Sequence, residues 1–407
     1  MQYASSAVID PTRDDDGRRA RRSAPPRRAN TGRTGRKRKD PLWAKLLVIF
    51  GAVLMLASGT VIIGQRLIFA AATSNFNQTD LLDPAAPQTH VSIDGAKNLL
   101  LVGIDPRPNQ NPNDLMRADS ILILHVPATH DRAYLMSIPR DLYAEIPPFN
   151  NGKKTYAGGH DKINGAFAAG GDGLTGLEAR KKGFVLLQQT IKKAYNIDFQ
   201  AGAIVDFQGF QQVVNVLGGV DMYVDEVTES AHIGYDAKTG KQKPPAKFDS
   251  NGRATKIYGV TPKTYPKGYQ HLAPWEALDF VRQREFLPDG DYGRQRHQQQ
   301  FIKAVFKGIL SRNVLTNKDK LSQVLKVVGQ AMTIDNGRIP LEDWIFAMRN
   351  ISASAVMTLK TNGGQFNPEG PGGAELLDET SVQLLNAIRT DTVDNFLLNH
   401  TDWVSQS

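Results

Sequence analysis

Three apolar runs follow one another closely in this chain: NLLLVGI (98–104), SILILHV (120–126) and RAYLMSI (132–138). Each is too short for an ordinary helix, and each is nearly free of polar interruptions. Asp105-Pro106 closes the first and Pro139 the third. Runs of this kind belong to strands covered on both faces. Helical periods follow at about 179–195 and 207–217, with GAIVD (202–206) as a strand between them. Gly218-Gly219 breaks into a further strand, and Pro274 marks a helix start. Further helices are expected at about 292–312, 318–332, 339–349 and 379–389. The fold class is therefore α/β, with a sheet between helical layers.

A second constraint lies upstream. Leu46 to Gln65 is a 20-residue run without a charge. At about 1.5 Å per residue it matches a hydrocarbon core of about 30 Å. It lacks the polar face of a globular helix, and it starts too late and runs too long for a cleaved leader. Residues 1–41 carry 12 Lys/Arg against 5 Asp, so most of the net charge of +8 sits there. That flank predicts a cytoplasmic N-terminus, with everything after residue 66 outside. The tail reads as a topology signal attracted to anionic lipid. It lacks the aromatics and folded module of a nucleic-acid arm, and no nucleic-acid partner is expected. Residues 72–96 read as a stalk, and 228–270, rich in Gly, Lys, Pro and Asp, as a long surface excursion.

Several chemistries are excluded. There is no cysteine, hence no disulfide, thiolate metal site or thiol nucleophile. The eight histidines show no paired spacing. GYDAKTGK (234–241) misses the P-loop spacing by one residue, and no GxSxG elbow occurs.

If the three apolar strands form an antiparallel meander, one sheet edge collects Asp105, Arg107, Arg117, Asp119, Arg140 and Asp141. Carboxylates there suit a hard divalent cation, and arginines suit phosphate. Mutual salt bridging accounts for such a cluster as well as ligand binding does. The run FVRQREFLPDGDYGRQRHQQQ (280–300) adds more guanidinium. If FVRQR is extended, Arg282 and Arg284 share a face. In the helix that follows, Phe301, Ile302, Val305, Phe306 and Ile309 form an apolar stripe. Gln298 continues that stripe and Arg294 sits on its shoulder. Arg296 and His297 fall outside it and read as surface. The helix start favours an anion. The apolar side of 207–217 (Phe207, Phe210, Val213, Val214, Leu217) reads as core packing, with a lipid tunnel wall as the alternative.

The segments LLLVGIDPR, MRADSILILHV, SIPRD, KINGAFAAGG, VDFQGFQQVVNVLGGVDMYV, ALDFVRQR and DYGRQRHQQQ, in this order, resemble the LytR-CpsA-Psr family. The resemblance covers roughly residues 97–312. It implies an α/β/α ectodomain with a central mixed sheet, anchored by a single-pass membrane helix. It implies a phosphotransferase that moves a glycopolymer from a polyprenyl-diphosphate donor to peptidoglycan, with water as an alternative acceptor. Asp105 and Asp119 resemble the family's Mg²⁺ ligands, with Mn²⁺ as a substitute. Arg117, Arg140, Arg282, Arg284 and Arg294 resemble its diphosphate-binding arginines. Asp291 and Gln298 match pocket positions, with Asp291 or an aspartate near the metal as general base. Lys162 and Asn164 match a motif of structural character. The actinobacterial look of the tail suggests arabinogalactan as cargo. A separate C-terminal domain carried by some longer relatives is not expected. The expected division is a basic tail (1–41), a transmembrane helix (42–66), a stalk (67–96), the catalytic domain (97–312) and C-terminal helices packed on it (313–407). Two other readings remain: a membrane-tethered transcriptional attenuator, and a non-catalytic binder of polyprenyl phosphate or cell wall.

Overall fold

Strand alternation deals the apolar residues of this chain to two different interiors. In the computed structural model the seven strands of the main sheet are β1 (Asn77–Gln78), β2 (Lys97–Ile104), β3 (Ser120–Val126), β4 (Ala133–Ile138), β5 (Ala201–Asp206), β6 (Met332–Asp335) and β7 (Val356–Leu359). The structure describes residues 77–78, 80–82, 92–104, 116–249, 253–309, 317–339, 341–348 and 351–405. The 46–65 run and the basic tail lie outside these. Among the described residues no helix is long and apolar enough to cross a membrane.

The sheet order is β1-β6-β5-β2-β3-β4-β7. β2, β3 and β4 form the antiparallel meander, with Gly103 opposite Ser120 and Ile121 opposite Ile138. β5 joins β2 in parallel and β7 joins β4 in parallel, so the sheet is mixed. β6 and β7 come from the segment expected to supply only C-terminal helices. Four-residue strands such as MTID and VMTL are too short to declare a period.

Leu100, Val102 and Ile104 of β2, with Ile121 and Ile123 of β3, face the larger core. That core is covered by α1 (Asn164–Gly171), α2 (Gly176–Tyr195) and, near the C-terminus, α8 (Glu379–Thr390). The other face holds Leu99, Leu101, Leu122 and Leu124, opposite α5 (Asp291–Ile309). These layers give the α/β/α arrangement.

α5 is covered on a second side as well. α3 (Phe207–Leu217) and α4 (Pro274–Phe280) form a smaller core with it, built from Val213, Val214, Phe280, Val281, Phe301 and Val305. Val213 and Val214 are thus packing residues, as expected of that helix. The remaining helices include α6 (Lys318–Ala331), α7 (Leu341–Met348) and α9 (Val393–Asn399). The 228–270 excursion is ordered into ribbons: Thr228–Asp236 pairs with Val260–Tyr265, and Ala246–Phe248 with Ala254–Lys256. Its polar composition reflects exposed two-stranded pairing rather than an irregular loop.

α1 and α2 approach so closely that only glycine fits at the crossing. A Cβ on Gly183 would stand 2.5 Å from the Phe167 carbonyl oxygen, and one on Gly170 would collide with the Lys182 carbonyl oxygen. The blocking atoms are backbone, so neither can rotate away. Gly183→Ala should therefore destabilise the fold by about 1–3 kcal/mol, despite roughly 1 kcal/mol of better helix propensity. Denaturant titration checks this; an unchanged or higher midpoint would show that the helices separate freely.

Candidate functional site

The turn after β4 is held in place by backbone bonds. Leu142 N donates to Pro139 O (3.1 Å), Ile163 N to Leu142 O (2.8 Å) and Asn164 N to Arg140 O (3.1 Å). The start of α1 thereby pins Arg140, which is consistent with a structural part for the Lys162–Asn164 segment. Asp119, just before β3, is fixed by its own N–H donating to Gly103 O at 3.0 Å. The meander thus delivers Asp119 and Arg140 to one edge, and Arg140 Nη1 donates to Asp119 Oδ1 at 2.8 Å.

The start of α5 closes on this edge. Arg294 Nη2 lies 2.6 Å from Asp291 Oδ1 and donates to the Asp119 carbonyl oxygen at 3.2 Å. Arg140 Nε lies 3.6 Å from the same Asp291 oxygen. Burial alone would raise the Asp291 carboxyl, but Arg294 and Arg140 outweigh it and hold the group below its usual range. Burial would likewise lower Arg140, yet Asp291 and Asp119 keep its guanidinium above the ordinary value. Burial dominates at Arg294 and lowers it. The buried Nε atoms of Arg140 and Arg294 have no hydrogen-bond partner among the described residues. Two guanidiniums therefore converge at one edge, and arginines so paired are a common arrangement for phosphate oxygens.

A cleft opens at this network, and an apolar cavity is lined by residues next to it in sequence. A cleft of about 980 Å³ is lined by Arg140, Asp141, Arg284, Asp291, Arg253 and Phe366, among others. An apolar cavity of about 300 Å³ lies between the sheet and α5, lined by Leu99, Leu101, Leu122, Phe301, Ile302 and Val305, among others. Along β2 it runs from Leu99 to Gly103, roughly 13 Å at about 3.3 Å per residue. Ser120 and Gln298 line it near Gly103, and Asp335 and Asn336 line it toward Leu99. Ser120 adjoins Asp119, and Gln298 follows Arg294 by one helical turn. The buried Oε1 of Gln298 has no hydrogen-bond partner among the described residues.

The structure brings together Asp119, Arg140, Asp291 and Arg294, places Arg284 in the cleft, and puts Gln298 at the cavity end. Asp105 and Arg107 lie outside the described residues. Arg117 is exposed. Arg282 is half-buried in the turn after α4. That turn is not extended: Arg282 N bonds Asp279 O at 3.2 Å and Gln283 N bonds Phe280 O at 3.2 Å. The shared strand face expected for Arg282 and Arg284 is thus corrected, because α4 runs into hydrogen-bonded turns. Arg284 instead pairs with Glu285 at 2.9 Å.

Arg296 and His297 also differ from expectation. His297 is 0 % exposed and stacks on Phe280 with ring centroids 4.0 Å apart. Arg296 is clamped by Asp225, Asp289 and, at 2.5 Å, Glu226. The single-stripe reading assumed one buried face for α5, whereas the second core buries another. Asp225, Glu226 and His297 bring possible metal-ligand atoms within 4.8 Å of one another. Arg296 already supplies the positive charge there, so the group is an internal ion-pair cluster.

The structure is thus a mixed α/β domain with a guanidinium-lined sheet edge beside an apolar cavity. The LytR_cpsA_psr family model matches residues 67–367, and the chain belongs to that family. It is 28 % identical over 312 residues to the cell wall biosynthesis protein LcpA of Corynebacterium glutamicum, covering 73 % of this chain and 55 % of that protein. It is 26 % identical over 307 residues to the polyisoprenyl-teichoic acid–peptidoglycan teichoic acid transferase TagU of Oceanobacillus iheyensis, covering 74 % and 78 %. The chain thus spans little more than half the length of LcpA. Among solved structures, protein gbs0355 from Streptococcus agalactiae aligns with a TM-score of 0.52 at 19 % identity, over 73 % of this chain and 88 % of that one. That likeness supports the fold.

The family match ends before Glu375, which ties α5 to the turn after β4 and which no sequence pattern announced. Its Oε1 accepts from the Tyr292 hydroxyl at 2.6 Å, and its N–H donates to Asp141 O at 2.9 Å. Burial, with help from Asp291 and Asp141, pushes its carboxyl from 4.5 up to about 7. A raised carboxyl means that the folded chain holds more protons than the unfolded one between those pH values. Stability from this group is full below about pH 4.5 and is lost as pH rises to about 7, in total roughly 3 kcal/mol. Glu375→Gln should flatten that part of the profile. Thermal unfolding of both proteins from pH 4.5 to 8 checks it; parallel curves would contradict a buried, protonated Glu375.

Proposed function

We propose that this chain is a membrane-anchored transferase, moving a glycopolymer from a polyprenyl-diphosphate carrier to peptidoglycan outside the membrane. One observation carries the reading: the apolar cavity is lined at one end by Ser120, next in sequence to Asp119, and by Gln298, one helical turn beyond Arg294. Asp119 and Arg294 belong to the network that also holds Arg140 and Asp291. A ligand filling both places has an apolar chain and a multiply charged head. The name of the TagU relative, which specifies a polyisoprenyl-linked donor and a peptidoglycan acceptor, fits that description. The uncharged 46–65 run supports anchoring, and the basic tail supports a cytoplasmic N-terminus.

In the proposed reaction a peptidoglycan hydroxyl oxygen attacks the phosphorus that bears the glycan. A new P–O bond forms, the bridging P–O bond breaks, and polyprenyl monophosphate leaves with the bond's electron pair. The hydroxyl proton passes to a base. Arg140, Arg284 and Arg294 stabilise charge growing on the bridging oxygen and on the leaving phosphate. Asp291 is a weak base, because two guanidiniums hold it ionised. Its part is to orient Arg140 and Arg294. Water in place of the acceptor would make the same centre a pyrophosphatase. The cargo we put forward is arabinogalactan, to be identified by mass spectrometry of lipid co-purified with the protein.

The donor set suits Mg²⁺. Asp119 is half-exposed, and Arg140 engages Oδ1. Asp105, its proposed partner, lies outside the described residues. One or two carboxylates beside phosphate oxygens are what Mg²⁺ takes. Bound there, it would neutralise charge on the diphosphate.

Asp119→Asn and Arg284→Ala should each lower transfer by about 100-fold or more while leaving the unfolding midpoint near that of the wild type. The assay is glycan transfer from a polyprenyl-diphosphate donor to peptidoglycan, with and without Mg²⁺. Full activity in both variants would remove the assignment of this centre.

A further inference from the structure

The cleft is larger than a diphosphate needs. At about 980 Å³ it stands at the top of the roughly 300–1,000 Å³ range of small-molecule sites. Its charged lining is Arg140, Arg284, Asp141, Glu285, Asp289 and Asp291, and Phe366 and Arg253 also line it without a task in the phosphate chemistry. Phe366 is 51 % exposed, and Arg253 is exposed at the end of the ribbon excursion.

Phe366 is held rather than loose. Its loop is tied down by buried Asn362, whose Nδ2 donates to the Tyr292 hydroxyl (3.0 Å) and to Leu376 O (2.9 Å). Tyr292 adjoins Asp291 in α5. Gly364 N and Gln365 N close turns onto Thr361 O and Asn362 O at 2.7 and 2.9 Å. The loop carrying this half-exposed ring is therefore anchored to the helix that carries the guanidinium centre. An aromatic face is an electron-rich apolar plane, and the C–H face of a sugar ring is its natural complement. Arginine supplies a planar fork of donors for ring hydroxyls and anionic substituents.

We infer that Phe366 and Arg253 form a carbohydrate subsite beside the diphosphate position, where a sugar ring of a glycan stacks on Phe366. This rests on the proposed function, and the sugar comes either from the donor, next to the diphosphate, or from the acceptor strand. In the first case Phe366 sets donor specificity, and in the second it orients the acceptor.

The test uses the full chain in lipid nanodiscs. Three probes are titrated: a polyprenyl diphosphate, the same lipid bearing a disaccharide, and a soluble muropeptide disaccharide. Phe366→Ala should lose about tenfold in affinity for a sugar-bearing probe and less than twofold for the bare lipid. Phe366→Trp should restore most of the loss. Arg253→Gln should weaken the same probe. Loss confined to the glycolipid places the donor sugar on Phe366, and loss confined to the muropeptide places the acceptor there. Unchanged affinity for both sugar-bearing probes in Phe366→Ala overturns the subsite while leaving the transferase reading standing. Wild-type protein that binds neither lipid overturns the transferase reading itself. If it binds the muropeptide with no dependence on Phe366, the subsite falls as well.

Discussion

The site depends on one shared carboxylate. Asp291 at the start of α5 sits between Arg294, on its own helix, and Arg140, on the turn after β4. Arg140 reaches on to the Asp119 carboxylate, and Arg294 to the Asp119 backbone. Two cations and two anions thus join the sheet edge to the helix start. Without Asp291 the guanidiniums would face each other at close range with burial against them. With it they converge, and each keeps a buried Nε donor with no partner among the described residues. Such a network contributes little net stability for its desolvation cost. Its consequence is geometric: two guanidiniums are fixed at one edge, and in the proposed reaction they meet developing charge already in position.

The same sheet edge also decides where the apolar space opens. Leu100, Val102 and Ile104 are consumed by the main core, while Leu99, Leu101 and Gly103 face α5 across a cavity. A strand buried on both faces normally packs solid on both. Here the α5 side is left partly unfilled, and the space runs up to Ser120 and Gln298 beside the charged network. In the proposed function the apolar tail of the donor lies in this helix–sheet seam and its charged head at the network.

Much of this was legible before any tertiary structure. The runs at 98–104, 120–126 and 132–138 announced three buried strands, and an antiparallel meander of them, which the pairing bears out, puts Asp119 and Arg140 on one edge. The Phe301 to Ile309 stripe predicted which side of α5 meets the sheet, and that Gln298 continues it. What stayed hidden was whatever depended on a second neighbour. Arg296 and His297 read as surface because helix periodicity shows one apolar stripe, not polar residues buried by an ion-pair cluster and a stacked ring. The strands at 332–335 and 356–359 were too short to show a period. Asn362 lies in a Gly- and Pro-rich stretch and Glu375 just after it, and their importance comes from Tyr292, 70 and 83 positions away.

The sequence by itself determined the α/β class, the three apolar central strands and the apolar stripe of α5, and it put Asp119 and Arg140 on one edge if those strands formed a meander. Local periods and strand order suffice for those, because alternation and turn placement act over a few residues. Tertiary structure alone decided which arginines converge, which are spent as internal counter-ions, and where the apolar cavity ends. It also brought Phe366 and Arg253 to one cleft. Those outcomes turn on distances of a few ångströms between segments far apart in the chain, where Coulomb energy and burial vary steeply and sequence spacing carries no information.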